Sequence, residues 1–195
     1  MWALVEDGSI TKHLSGNRGI TIGDIQYSRN IFSFRWSNEE REAIGIYEVV
    51  WDNTNKKDEA YYNNTNQTFA FADGVVTASY GSATANALAD ITDEDDNVIP
   101  GLKTKHKEII KQQASGLLTP TDWYVIKATD VESYSVPSAI TTYRANVRTA
   151  SNDMEVLIDA CSTVDELAAL YEYVNTGTEE EPVMERPLGE FPEAV

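Results

Sequence analysis

In the first part of the chain, apolar positions come in short runs cut by turn residues. Trp2-Ala3-Leu4-Val5 and residues 10–14 flank Glu6-Asp7-Gly8. Residues 68–71 and 75–80 flank Ala72-Asp73-Gly74 in the same way. Asp-Gly readily takes the positive φ of a tight hairpin turn, so both stretches predict β-hairpins. Gly16, Gly19 and Gly23 punctuate what reads as a loop around residues 20–22. Ser37-Asn38-Glu39-Glu40 has the spacing of a capping box and predicts a short helix ending near Gly45. Residues 46–51, IYEVVW, mix aromatic and β-branched side chains and predict a strand. The Asn-rich stretch 52–67 reads as a loop.

The pattern changes after residue 90. Residues 90–100 are acidic and aperiodic, which marks a boundary. Beyond it, Leu102, His106, Ile109, Ile110 and Ala114 fall on one side of a helix. Lys103, Lys105, Lys107 and Lys111 surround the rest, and Gly116 is the expected stop. Pro137 suits the first turn of a second helix, because its missing N–H has no partner there anyway. Ile140, Tyr143, Val147, Met154, Leu157, Ile158 and Cys161 supply that helix's buried stripe. Ala150-Ser151-Asn152 is where it is expected to break. Ser162 or Thr163 caps a last helix with Leu167, Leu170, Tyr171 and Val174 on its face, ending at Gly177. Residues 178–195 are rich in Pro and Glu and read as an extended tail held by Val183, Met184, Leu188 and Phe191. The fold expected is α+β. An N-terminal antiparallel β module with one short helix (residues 1–90) leads through an acidic connection (91–101) to a C-terminal α-helical module (102–177). The acidic tail (178–195) follows.

Charge alters the functional picture more than the structural one. The chain has 15 Lys and Arg against 32 Asp and Glu, a formal net charge of −17. That opposes a nucleic-acid or anionic-membrane partner, since both need clustered cations. The surplus serves solubility or provides a docking surface for a basic partner. Cys161 is the only cysteine, so no intrachain disulfide is expected, and a buried thiol fits its apolar setting better than a nucleophile. The start of the chain has no basic, long-apolar leader pattern, and no run approaches the ~20 apolar residues of a membrane span.

Candidate chemistry is sparse. His13 and His106 are the only histidines and neither has a cysteine or carboxylate at zinc-ligand spacing. Asp93, Asp95 and Asn97 match the early ligands of a calcium loop. Val98 and Thr104 then stand where that loop needs Gly and Glu. No phosphate-binding glycine motif and no nucleophile elbow are present, so no catalytic residue, cofactor or metal is expected.

One ordered set is more specific. Leu117-Leu118, Thr121-Asp122-Trp123, Pro137, Tyr143-Arg144 and Arg148 occur in that order within residues 117–148. The set resembles bacteriophage tail-fibre assembly proteins and the related tail assembly chaperones. Residues 1–32, with Trp2-Ala3-Leu4-Val5 and Ile22-Gly23-Asp24-Ile25-Gln26-Tyr27, are similar to the start of proteins encoded near phage tail genes, often in marine phages. The family's segment after the tryptophan is short and proline-rich, whereas residues 124–132 here read as a helical insertion. The resemblance implies a non-enzymatic protein that binds another phage tail or tail-fibre protein, in fibre assembly or attachment. The competing role is a virion structural component of the tail, baseplate or fibre. It implies a location in the host cytoplasm during assembly, or in the virion tail, and is compatible with a homo-oligomer. Trp123, Tyr143, Arg144 and Arg148 become candidate partner contacts, with Met184, Leu188 and Phe191 of the tail beside them. Trp123 has a second reading, as a core anchor where helices meet. Arg144 and Arg148 have one too, pairing with Asp122 to hold helices together.

Overall fold

The computed structural model describes residues 1–194. The fold is α+β, with a β-rich N-terminal region and a helical C-terminal region. The chain divides into two compact units, residues 1–84 and 85–195.

In the first unit, β1 (Trp2–Glu6) and β2 (Ser9–Leu14) form the hairpin expected from Asp7-Gly8, both at positive φ. β3 (Ile20–Ile22) and β4 (Ile25–Tyr27) form a second hairpin where the glycine spacing reads only as a loop. Ser37 and Glu40 complete the capping box of α1 (Asn38–Glu42). β5 (Ile46–Asp52) and the short β6 (Tyr62–Asn63) precede the hairpin of β7 (Thr68–Ala72) and β8 (Val75–Ser79).

The main sheet has the order β2-β1-β5-β8-β7. Every pair is antiparallel except β5 with β8, which run parallel. The sheet curls until its outer strands approach, and the His13 ring on β2 lies 4.2 Å from Phe69 on β7. Ala3, Val5, Val49, Val76 and Ala78 fill the concave side with Tyr47, Phe69 and Phe71 around them. On the other side Leu4, Ile31 and Ile46 pack under Trp2, Phe32 and Trp36. Buried Arg41 ties that cover down, donating to the carbonyls of Ile31 and Ser33 at 2.7 Å each and stacking its guanidinium 4.5 Å from the Trp2 ring.

β9 (Thr84–Ala85) lies at the division. In the second unit, β10 (Ile91–Thr92) and β11 (Val98–Ile99) form a small hairpin in the stretch expected to be a connection. That stretch closes onto α2 (Leu102–Leu118). The free N–H groups of the helix start are taken by Ala87 O (2.8 Å), Leu88 O (3.0 Å) and Asp90 Oδ1 (2.8 Å, from Gly101 N). The hydrogen bonds from Thr104 and Gly101 hold the Asp90 carboxyl below the usual carboxylate range. Only glycine fits at 101, because a Cβ there would collide with the backbone of Ala89.

Gly116 does not stop α2. The helix runs on to Leu118, and a 3-10 turn (Thr119–Thr121) leads directly into α3 (Asp122–Asp130). α4 (Ser138–Ala160) is unbroken through Ala150-Ser151-Asn152. Ser151 is buried there, and no glycine or proline interrupts the ladder. α2 and α4 pack antiparallel. Lys107 pairs with Asp159 at 2.7 Å, Lys111 with Glu155 at 3.1 Å, and Lys103 donates to Asp159 O at 2.8 Å, so three of the four lysines around α2 bridge the helices. Thr163 and Glu166 form the capping box of α5 (Val164–Ala169). The chain ends in a hairpin of β12 (Val174–Asn175) and β13 (Met184–Glu185), then packs Leu188 into the core. Among the described residues no helix is long and apolar enough to cross a membrane.

Candidate functional site

The ordered residues of the 117–148 stretch meet at one corner. Where α2 gives way to the 3-10 turn, its last carbonyls have no partner within the helix. α4 supplies them. Tyr143 Oη donates to Leu117 O at 3.4 Å and Arg144 Nη1 to Leu118 O at 3.0 Å. The same Nη1 reaches Thr121 Oγ1 and pairs with Asp122 Oδ1 at 2.8 Å. Thr121 Oγ1 donates in turn to Leu118 O at 2.7 Å. The guanidinium thus sits at the negative end of α2 while Asp122 sits at the positive end of α3. Arg144 and Tyr143 are buried, so this is an internal lock. Arg148 is exposed and donates only to Arg144 O, at 3.3 Å; its expected pairing with Asp122 does not form.

The lock fixes the start of α3, and α3 buries none of its residues. Trp123 is 50% exposed, Val125 43% and Ile126 61%. The core-anchor reading of Trp123 is therefore overturned. The physical reason is its context. Trp123-Tyr124-Val125-Ile126 is a contiguous run, and a helix distributes four consecutive side chains all round its axis. Trp123 and Tyr124 stack with ring centroids 3.9 Å apart. Lys127 Nζ lies 4.3 Å from the Tyr134 ring and 5.7 Å from Trp123. The result is an outward-facing apolar and aromatic patch on a helix with a rigid base. Sequence reasoning singled out Trp123 and missed Val125 and Ile126, although the unbroken apolar run was the available signal.

The tail contributes less than expected. Leu188 is 2% exposed, with its N–H donating to Leu170 O at 3.0 Å. Phe191 packs on Ala114, Tyr143 and Val147. Both belong to the unit's own core, and only Met184 of the three tail residues faces outward. Among the expected contacts, Trp123, Arg148 and Met184 are accessible.

The remaining candidates are structural. Asp93 Oδ1 accepts from the N–H groups of Asp95 (2.9 Å) and Asn97 (2.8 Å). The hydrogen bonds from Asn97 lead in holding its carboxyl below the usual range. That carboxylate closes the β10–β11 turn. Among the described residues no group of His, Cys, Asp and Glu is arranged to hold a metal. Burial pushes the Cys161 thiol up, which favours the protonated form over a nucleophilic thiolate. His106 Nδ1 is 2.8 Å from Tyr171 Oη, and burial pushes its pKa down. The chain matches no protein-family model, no curated protein and no solved structure.

Proposed function

We propose that this protein acts by binding another protein through α3, and that the partner is a phage tail or tail-fibre protein met during fibre assembly or attachment. The exposed Trp123, Val125 and Ile126, with half-buried Tyr124 between them on a helix with no buried residue, carry the binding part of this reading. Exposed apolar side chains on a helix held rigid at its base suit recognition, because little ordering is needed on docking. An exposed tryptophan is a frequent source of binding energy. The choice of partner rests on the sequence resemblance of residues 117–148. Chemistry on bound substrate has no supporting residues.

Co-expression with the tail-fibre protein of the same phage genome tests both parts. The full chain should co-purify with the fibre, and a Trp123→Ala/Ile126→Ser variant should lose capture while its thermal melting stays close to that of the parent. Undiminished capture by that variant would reject α3 as the docking element. Mass spectrometry of purified particles then separates the two roles. An assembly factor is absent from them, and a structural component is present at fixed stoichiometry.

A further inference from the structure

The first unit carries a charge feature that protein docking through α3 does not use. Between Gly8 and Asn38 the cations are Lys12, Arg18, Arg29 and Arg35, and the sole carboxylate is Asp24, in a chain of net charge −17. The β3–β4 hairpin sets where two of them go. Its register pairs Ile20 with Tyr27, Thr21 with Gln26 and Ile22 with Ile25. One step outward Gly19 lies beside Ser28, and Arg18 and Arg29 follow on the two arms, Arg29 as the first residue of a 3-10 turn (Arg29–Phe32). The close approach is real: a Cβ on Gly19 would collide with the Tyr27 carbonyl and touch Ser28 Cα at 3.4 Å.

Arg18 and Arg29 therefore border one cleft of about 380 Å³, walled also by Gly19, Gln26, Tyr27 and Ser28. No carboxylate lines it, and Asp24 lies in the turn at the far end of the hairpin. Among the described residues neither guanidinium has a hydrogen-bond or ion-pair partner. Arg41, Arg144 and Arg186 all have theirs, and Arg35, whose guanidinium also has none among the described residues, does not border the cleft. Two like charges bordering one cleft repel each other. Two guanidinium forks around an open cleft are also the geometry that receives an oxyanion. Ser28 Oγ accepts the Asn30 N–H at 3.3 Å, which leaves its own hydrogen for a further acceptor. Arg18 borders a second, adjoining cleft with Lys12 and His13, which extends the positive field.

We propose that the cleft between Arg18 and Arg29 is a binding site for an oxyanion, a phosphate or carboxylate group, gripped by both guanidinium groups. The test is titration of the isotopically labelled full chain, followed by amide NMR, with inorganic phosphate in one arm and glutarate in another. Ionic strength is held constant with sodium chloride. Saturable shifts confined to Gly19, Gln26, Ser28, Arg29 and their neighbours are expected. An Arg18→Gln/Arg29→Gln variant should bind at least tenfold more weakly, and a Lys56→Gln/Lys57→Gln variant should bind like the parent. Saturation by phosphate alone identifies a phosphate-bearing ligand, and saturation by glutarate identifies a carboxylate-bearing one. Shifts that fail to saturate in either arm, spread over the whole surface, or persist unchanged in the double arginine variant would overturn the proposal. The localisation of the parent's shifts decides the matter even if the arginine variant folds poorly.

Discussion

α3 and α4 belong to the same unit, and one follows the other in the chain. Yet α4 buries Ile140, Tyr143, Arg144, Val147, Ser151, Met154 and Ile158, while α3 buries nothing. Their apolar content does not explain this, since Trp123-Tyr124-Val125-Ile126 is more apolar than any four consecutive residues of α4. Spacing does. The α4 residues recur at intervals of three, four and seven, so they share a face that α2 can cover. The α3 residues are adjacent and share none. A hydrophobic run without helical period announces an element, but it does not announce burial. The same contrast separates two sets of arginines. Arg144 and Arg41 are buried among carbonyls, whereas Arg18 and Arg29 border a cleft that no carboxylate lines.

The contrast between the helices is sharpest in stability. Ile158 on α4 is fully buried, and Ile158→Ala should cost about 2–5 kcal/mol in urea unfolding followed by helical circular dichroism. A cost near zero would mean that the α4 stripe is not the core of its unit. Arg144→Ala should come next, at about 2–3 kcal/mol, because Leu118 O, Thr121 and Asp122 lose a charged donor together. Arg144→Lys should recover only part of this, since one ammonium cannot reproduce the fork. Full recovery would show that charge alone holds the corner.

A smaller effect is expected from His106. Burial lowers its pKa in the folded state, so as pH falls below the unfolded value of about 6.5 the unfolded chain takes up the proton first. Stability linked to His106 is therefore intact above that pH and declines below it. Melting temperatures of the parent and of His106→Phe, compared at pH 7.5 and 5.5, should show a shallower acid loss in the variant (roughly one pH unit either side of the unfolded pKa). Parallel slopes would remove His106 from the account. The smallest stability effects belong to α3. Trp123→Ala and Ile126→Ala should each change unfolding free energy by no more than about 0.5 kcal/mol. A loss above about 2 kcal/mol would place them in a core after all.

Much of the local structure is legible in the chain because its causes are local. Asp7-Gly8 and Asp73-Gly74 make their hairpins through positive φ, and Ser37/Glu40 and Thr163/Glu166 cap their helices with groups a few residues away. The α4 stripe follows the period except at Leu157, which is expected in it and is 38% exposed. The candidate site was half legible. The ordered motif found the corner, but motif order does not say that Tyr143 and Arg144 would be consumed by the carbonyls of Leu117 and Leu118.

What the tertiary structure decided depends on partners distant in sequence. The parallel pairing of β5 with β8 and the meeting of His13 with Phe69 arise from sheet curvature, which no turn signal encodes. Leu188 and Phe191 carry the same apolar signal as Met184. Only the former two find core positions waiting for them in their own unit. Burial is a property of what lies opposite a side chain. The sequence by itself determined the segments with strong local signals, the two Asp-Gly hairpins, the capped helices and the α4 stripe. It did not determine the β3–β4 and β10–β11 hairpins or the end of the last helix, which stops at Ala169 rather than Gly177. The tertiary structure decided which of their apolar and charged faces would be covered, because that free energy exists only once the second surface is in place.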